Sequence, residues 1–484
     1  MLLRLLYDQK LAQASYFVGC QATGEALVID PNRDIDQYLA LASSEGMRIT
    51  AVTETHIHAD FVSGARELAA RTGAQLYLSD EGTEDWKYQF ADEAGATLVR
   101  DGDEFWVGNI RLEVLHTPGH TPEHISFLLT DTAGANEPMG IFTGDFVFVG
   151  DVGRPDLLET AAGYVGTMEA GARTLYQSLQ RFKELPDYLQ VWPGHGAGSA
   201  CGKALGAVPQ STVGYEKLFN WALNIGSEDE FVAAVLEGQP EPPFYFKEMK
   251  RVNKEGPALV ADKPLPPRLP DESIDQHLAD GMPIVDMRPP LAFAGGHIPG
   301  TLNIPYSNSY LTWAGWLLPY DRPFALILDE RDVESTVKDL QRIGLDDVAG
   351  YWTPEVIDAW ASAEPERALQ TIELVSLEDV ERSLEAGLVT VLDVRGSTEY
   401  QEGHIPGALS IPMGYIPRRL DEIPTDKPVV VHCQTGVRSS IAASVLQRLG
   451  RENVLNYMGS FAEWSGAGKP VEQGAPQREP VSAD

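Results

Sequence analysis

The chain has 484 residues, enough for about three domains. Its 43% hydrophobic and 22% charged residues are ordinary globular proportions, which excludes wholesale disorder and fibrous repeats. A net charge of −34 repels nucleic-acid phosphates and anionic lipid, and no apolar run reaches the roughly 18 residues of a membrane span, so neither nucleic acid nor a bilayer is an expected partner.

In chain order, MLLRLLYDQK is interrupted by Arg4, Asp8 and Lys10 and reads as a first strand rather than a signal peptide. ASYFVGC, QATGE and ALVIDP read as strand, turn and strand of a hairpin. Residues 36–45 have a helical pattern, ITAVTET reads as a buried strand, and SGARELAART returns to helical period. Strands are expected across 74–150, and helices in TVGYEKLFNWAL and EDEFVAAVLEG close a first domain, 1–255. Five prolines between Pro257 and Pro270 keep a linker, 256–269, extended. Three cysteines, Cys20, Cys201 and Cys433, are too few for a disulfide framework and imply a reducing cytoplasm.

THIHADF places His56, His58 and Asp60 at alternate positions after an apolar strand, on one side of an extended segment. Three further Gly/Pro turns at strand ends carry His120 (HTPGH), Asp145 (TGDF) and His195 (WPGHG). Imidazole and carboxylate converging from such loops suit Zn, Fe or Mn. His116 and His124 are read as ordinary core or surface residues. Cys201, in GHGAGSACG, is either a small buried hydrophobe or a candidate sulfur acceptor near the metal; Cys20 is structural.

The order HxHxD, PGH, GD and a late PGH resembles the metallo-β-lactamase fold, which implies an αββα sandwich with its metal site at one edge. Phe61 stands where many members of that superfamily carry another histidine, which favours a single metal. The persulfide dioxygenases of this fold would supply His56, His120 and Asp145 as the ligands of one Fe(II) per chain. His58, Asp60 and His195 would then orient ligands, water or substrate. The resemblance also extends to the hydroxyacylglutathione hydrolases, Zn-dependent thioesterases in which His58 and His195 would be ligands too.

Past the linker, residues 286–305 and 393–412 are identical at ten of twenty positions, each with Asp-x-Arg and Gly-His-Ile-Pro-Gly. Two similar α/β domains with parallel sheets are therefore expected, 270–365 and 370–475, before a polar tail, 476–484, expected to be disordered. In the second copy KPVVVHCQTGVRSS reads as a strand, a loop from Cys433 to Arg438, and a helix. Loop amides, the helix N-terminus and the Arg438 charge should favour the Cys433 thiolate. Four residues separate Cys433 from Arg438, one fewer than in the phosphatase loop, a cradle sized for sulfane sulfur. With DVR and GHIPGA, this resembles a rhodanese sulfurtransferase. That implies a persulfide on Cys433, cradled by Gln434, Thr435, Gly436 and Val437, with Arg438 as the loop cation. Asp329 stands at the Cys433 position of the first copy, so that domain is expected to be catalytically silent.

Together these resemblances imply a persulfide dioxygenase–rhodanese fusion: a low-molecular-weight thiol persulfide and O2 give sulfite and thiol at Fe(II), and Cys433 exchanges sulfur with sulfite and thiosulfate. The alternatives are a Zn-dependent thioester hydrolase with accessory rhodanese domains, and a sulfur carrier or partner-binding protein with a vestigial metal site. Arg66 and Arg154 flank the motifs and are either groups that read the thiol carrier or structural residues, and Trp313 and Trp316 are candidate interface aromatics, for instance in a homo-oligomer.

Overall fold

The strand Gln13–Cys20 is buried at every position, so both of its faces must be covered by other layers. Alternation sorts its side chains: Tyr16 and Val18 face one apolar cluster and Phe17 another. The computed structural model describes residues 1–160, 166–203, 205–239, 241–363 and 367–475; the tail expected at 476–484 lies outside them. The chain divides into two units, 1–263 with 338–346, and 264–337 with 347–484.

In the first unit, strands β1 (Leu2–Asp8), β2 (Gln13–Cys20), β3 (Glu25–Ile29), β4 (Arg48–Thr53), β5 (Gln75–Ser79) and β6 (Thr97–Val99) form one sheet in sequence order. A second sheet runs β7 (Glu104–Val107), β8 (Ile110–His116), β9 (Ile125–Asp131), β10 (Gly140–Gly144), β11 (Gln190–Pro193) and β12 (Ser211–Thr212). Tyr16, Val18, Leu27, Phe105, Leu112, Phe127, Phe142 and Trp192 fill the space between the sheets. Outside the first sheet, Phe17 and Val28 meet Tyr38 of the helix Asp36–Ser44 and Leu68 of the helix Ala65–Thr72. Outside the second, Ile141 and Val191 meet Leu175 and Leu179 of the helix Met168–Glu184. The result is an αββα sandwich.

This unit extends beyond the expected end at residue 255 and includes 338–346. Charge explains the addition: Arg342 donates to Asp8 at 2.6 Å and Asp34 at 2.8 Å, and Arg33 donates to Asp346 at 2.7 Å.

The second unit holds two parallel sheets. One is ordered β14 (Leu302–Asn303), β13 (Ile284–Asp286), β15 (Phe324–Ile327), β16 (Val348–Trp352). The other is ordered β19 (Leu409–Ser410), β18 (Thr390–Asp393), β20 (Val429–His432), β21 (Val454–Asn456), β17 (Glu373–Leu374). The orders correspond strand by strand, with a parallel bridge from Arg268 to Tyr351 standing where β17 pairs β21.

The repeat seen in sequence recurs as a clasp. Arg288 pairs with Asp286 and donates to the Gly296 carbonyl at 2.9 Å, while Arg395 pairs with Asp393 and donates to that of Gly403 at 2.6 Å. His297 stacks on Phe293 and His404 on Tyr400, each pair at 3.7 Å. Trp313 and Trp316 are half-buried rather than free surface; the Trp316 ring closes over Gly414 and meets Tyr415 at 5.4 Å. Among the described residues, no helix is long and apolar enough to cross a membrane.

Candidate metal centre and cysteine loop

Four loops leave the strands at one edge of the sandwich: after β4 with His56 to Asp60, after β8 with His120, after β10 with Asp145, and after β11 with His195. All six of these ligand-type side chains, His58 included, are buried. Gly144 turns the chain into Asp145 at φ +49; a Cβ there would lie 2.4 Å from Thr55 Oγ1 and 2.9 Å from His124 Nε2.

Three imidazoles are anchored the same way. Thr55 Oγ1 donates to Asp30 at 2.9 Å and thus accepts from His56 Nδ1 at 3.0 Å. His120 Nδ1 donates to the Arg154 carbonyl at 2.9 Å, and His195 Nδ1 to the Ala12 carbonyl at 3.0 Å. Each Nδ1 then carries its proton, and each Nε2 presents a lone pair inward. His56 Nε2 and His120 Nε2 lie 3.8 and 3.6 Å from Asp145 Oδ2. The His56, His120 and Asp145 ligand atoms all fall within 4.8 Å of one another.

Burial, with neighbouring histidines adding to it, drives the His56 pKa well below the ordinary value, and burial takes His120 down to about 3. Burial raises Asp145 to about 6 against the pull of His195. His56 Nε2 and both Asp145 oxygens are buried without a hydrogen-bond partner. Buried lone pairs and a buried acid converging without donors call for a cation, so the donor set fits a metal held by two histidines and one carboxylate.

A second group adjoins the first. His195 Nε2 lies 3.2 Å from Asp60 Oδ2 and 3.4 Å from Asp145 Oδ1, and Cys201 completes a cluster with Asp60 and His195. Burial, then Asp60 and Asp145, push the Cys201 thiol well above its usual pKa, which holds it protonated and weakens its reading as a sulfur acceptor.

His58 points elsewhere. Its Nε2 pairs with Asp30 Oδ1 at 3.2 Å, and its ring lies 4.3 Å from that of Phe61. Burial disfavours its charge, but Asp30, Glu54 and Asp60 outweigh that and hold the pKa at about 9.

Sequence reasoning missed the groups behind the ligands. Asp30 braces Thr55, with its backbone N–H at 2.6 Å, as well as His58. His124, read as an ordinary residue, accepts the Asp145 N–H at 3.1 Å through Nε2 and contacts Thr117 through Nδ1 at 2.8 Å. Asp30 closes the apolar strand ALVI just before Pro31, a cue of the same kind that singled out His56. Arg154 is structural, pairing with Asp156 at 2.7 Å, and so is Arg66, paired with Glu93.

In the second unit, Cys433 is buried at the end of β20, ahead of the helix Val437–Arg448. Its Sγ accepts the Gly436 N–H at 3.1 Å, and its own N–H donates to Ser460 Oγ at 3.2 Å. Gly436 has φ +96, and a Cβ there would meet the Met458 carbonyl at 2.6 Å. Gln434 Oε1 accepts from Arg395 at 3.2 Å. Arg438 differs from the expected free loop charge: its two Nη groups donate to Glu399 at 2.6 and 2.8 Å, so its cation is already matched by a carboxylate. The strand registers correct the expected correspondence: Asp393 pairs with His432 and Asp286 with Ile327, so Leu328 rather than Asp329 stands where Cys433 does. Asp329, one residue on, is half exposed and pairs with Arg331 at 3.2 Å.

Residues 9–195 match the metallo-beta-lactamase superfamily and residues 376–467 the rhodanese-like domain. A solved metallo-beta-lactamase from Staphylococcus aureus subsp. aureus COL is 46% identical and covers 73% of this chain and 99% of its own, with a TM-score of 0.66. The chain belongs to the metallo-β-lactamase superfamily and carries a C-terminal rhodanese-like domain. It is similar to the persulfide dioxygenase ETHE1, mitochondrial, of Bos taurus, 29% identical over 48% of this chain and 79% of that one. The hydroxyacylglutathione hydrolase of Rhodospirillum rubrum is 31% identical over 37% of this chain and 60% of its own length. Several curated relatives are covered over only 53 to 60% of their length.

Proposed function

We propose that the first unit oxidises the persulfide of a low-molecular-weight thiol and that Cys433 in the rhodanese-like domain exchanges sulfane sulfur. The overall oxidation is RSSH + O2 + H2O → RSH + H2SO3, with the terminal sulfur oxidised and O2 reduced. The observation that carries this reading is the ligand set: His56, His120 and Asp145 converge while His58 is turned to Asp30. Such a set suits one Fe(II), which when bound supplies the redox chemistry joining dioxygen to sulfur. The chain's own part is positioning. Thr55, Arg154 and Ala12 fix the imidazole tautomers, the His124 acceptor aims Asp145, and burial keeps bulk water from the reacting groups. At Cys433 a persulfide sulfur bonds to Sγ as the donor's S–S bond breaks, and the carrier thiolate leaves with the electron pair.

A second reading has one observation in its favour: Asp60, His195 and Cys201 offer a second cation position beside the first, as a binuclear Zn thioesterase would need. Protein purified anaerobically, loaded with Fe(II) and given glutathione persulfide should consume O2 and release an equal amount of sulfite and thiosulfate taken together. Absence of O2 uptake beside rapid S-lactoylglutathione cleavage by the Zn form would overturn the oxidative reading. Persulfide on Cys433 with no sulfite would leave only a sulfur carrier.

A further inference from the structure

The duplicated module serves as an internal control for the cysteine loop. It retains the groups that hold the fold, since Asp286, Arg288, Phe293 and His297 repeat the contacts of Asp393, Arg395, Tyr400 and His404. It lacks three groups together: by strand register Cys433 corresponds to Leu328, by helix start Arg438 corresponds to Glu334, and by the repeat Glu399 corresponds to Ala292. A glutamate needed only to build the module would persist with the clasp. Glu399 is lost with the nucleophile and the loop arginine, which ties it to the site's chemistry.

Its geometry indicates what it does there. Glu399, on the helix Ser397–Glu402, engages both Nη groups of Arg438 with both of its oxygens, and Oε2 also accepts the Gly396 N–H at 3.1 Å. Its side chain is 38% exposed and that of Arg438 22%, so both groups of the pair reach solvent while Cys433 itself is buried. The other guanidinium touching the loop, Arg395, is spent on Asp393. Both cations at the loop are therefore neutralised before any sulfur compound arrives.

We propose that Glu399 is the specificity-determining residue of the Cys433 loop, occupying Arg438 so that the loop favours sulfur carried on a thiol over compact sulfur dianions. This rests on the sulfurtransferase reading of Cys433. Both transfers start from the Cys433 thiolate and end in the same persulfide. With thiosulfate, the S–S bond breaks, the outer sulfur bonds to Sγ, and sulfite leaves with the electron pair: Cys–S⁻ + S–SO3²⁻ → Cys–S–S⁻ + SO3²⁻. With a carrier, R–S–S⁻ + Cys–S⁻ → R–S⁻ + Cys–S–S⁻. The dianion must approach the Glu399 carboxylate without a free cation to receive it; a monoanion on a neutral arm meets about half that repulsion. The same repulsion opposes sulfite as acceptor in the reverse direction.

The test compares kcat/KM for thiosulfate and for 2-hydroxyethyl persulfide in the full-length protein. Glu399→Gln should raise the thiosulfate-to-persulfide ratio about tenfold, while Glu399→Asp, which keeps the charge, stays near the wild-type ratio. In the wild type, added salt should speed the thiosulfate reaction more than the persulfide reaction, because screening relieves the larger repulsion. Equal ratios in the Gln and Asp variants, or equal salt slopes in a wild type that transfers from both donors, would overturn the inference. Should Glu399→Gln fail to fold, Glu399→Ser, which also removes the carboxylate, takes its place in the same comparison of ratios. A wild type that moves sulfur from neither donor to Cys433 would instead overturn the sulfurtransferase reading.

Discussion

Asp30 shows how much a single residue behind the ligands controls. Its Oδ1 takes the Thr55 N–H and the His58 ring, and its Oδ2 takes the Thr55 hydroxyl that fixes the His56 tautomer. Asp30→Asn removes the charge holding His58 and can supply a competing donor to Thr55. Metal affinity, read by competition with a chromophoric chelator, should fall about 10- to 100-fold, as is usual when a supporting partner is lost. The candidate ligands were legible in sequence because His56 opens the alternating His-x-His-x-Asp run after an apolar strand, while His120, Asp145 and His195 each sit in a Gly/Pro turn after an apolar run. Asp30 and His124 were not, since their function depends on loops meeting across the sheet edge, and spacing along one chain does not report that. Nor does a motif reveal that Arg438 is paired, because Glu399 lies 39 positions upstream of it on another helix.

Among the elements, the helix Val437–Arg448 best joins sequence to packing. Ser439 to Leu446 are buried without a break, and much of this stretch is Ser and Ala. Small side chains let the helix lie against its own sheet while Ser444 Oγ accepts the Asn303 N–H of β14 at 3.1 Å. The sequence run SSIAASVL reads as a helix, but periodicity could not show that it has no solvent face. Ala443→Leu has no space to enter and should cost about 1–3 kcal/mol, measured as the loss in denaturant midpoint at constant m-value. The strand–loop–helix order was legible from apolar runs and turn residues, and the sandwich from the resemblance that the histidine and aspartate motifs carry. The attachment of 338–346 to the first unit was not, because it follows from Arg342 reaching Asp8 and Asp34, more than 300 positions away.

At the scale of the whole molecule, each of the two units has apolar clusters of its own, and the candidate metal ligands lie in the first unit alone. Calorimetry should therefore resolve a transition that moves with metal and one that does not. Free metal at about a hundred times its dissociation constant stabilises the unit that binds it by about 2.7 kcal/mol, and a chelator removes that increment. A chelator that lowers both transitions equally would contradict the assignment of the ligands to one unit.

The anchoring of His120 and His195 has an evolutionary corollary. Both rings lean on carbonyl oxygens, of Arg154 and Ala12, and every amino acid supplies a carbonyl. The side chains at those two addresses are thus released from any duty to the imidazoles they steady. Neutral drift at residue 12 is then bounded by its left-handed backbone, φ +51, so Gly or Asn should substitute there without disturbing the ring.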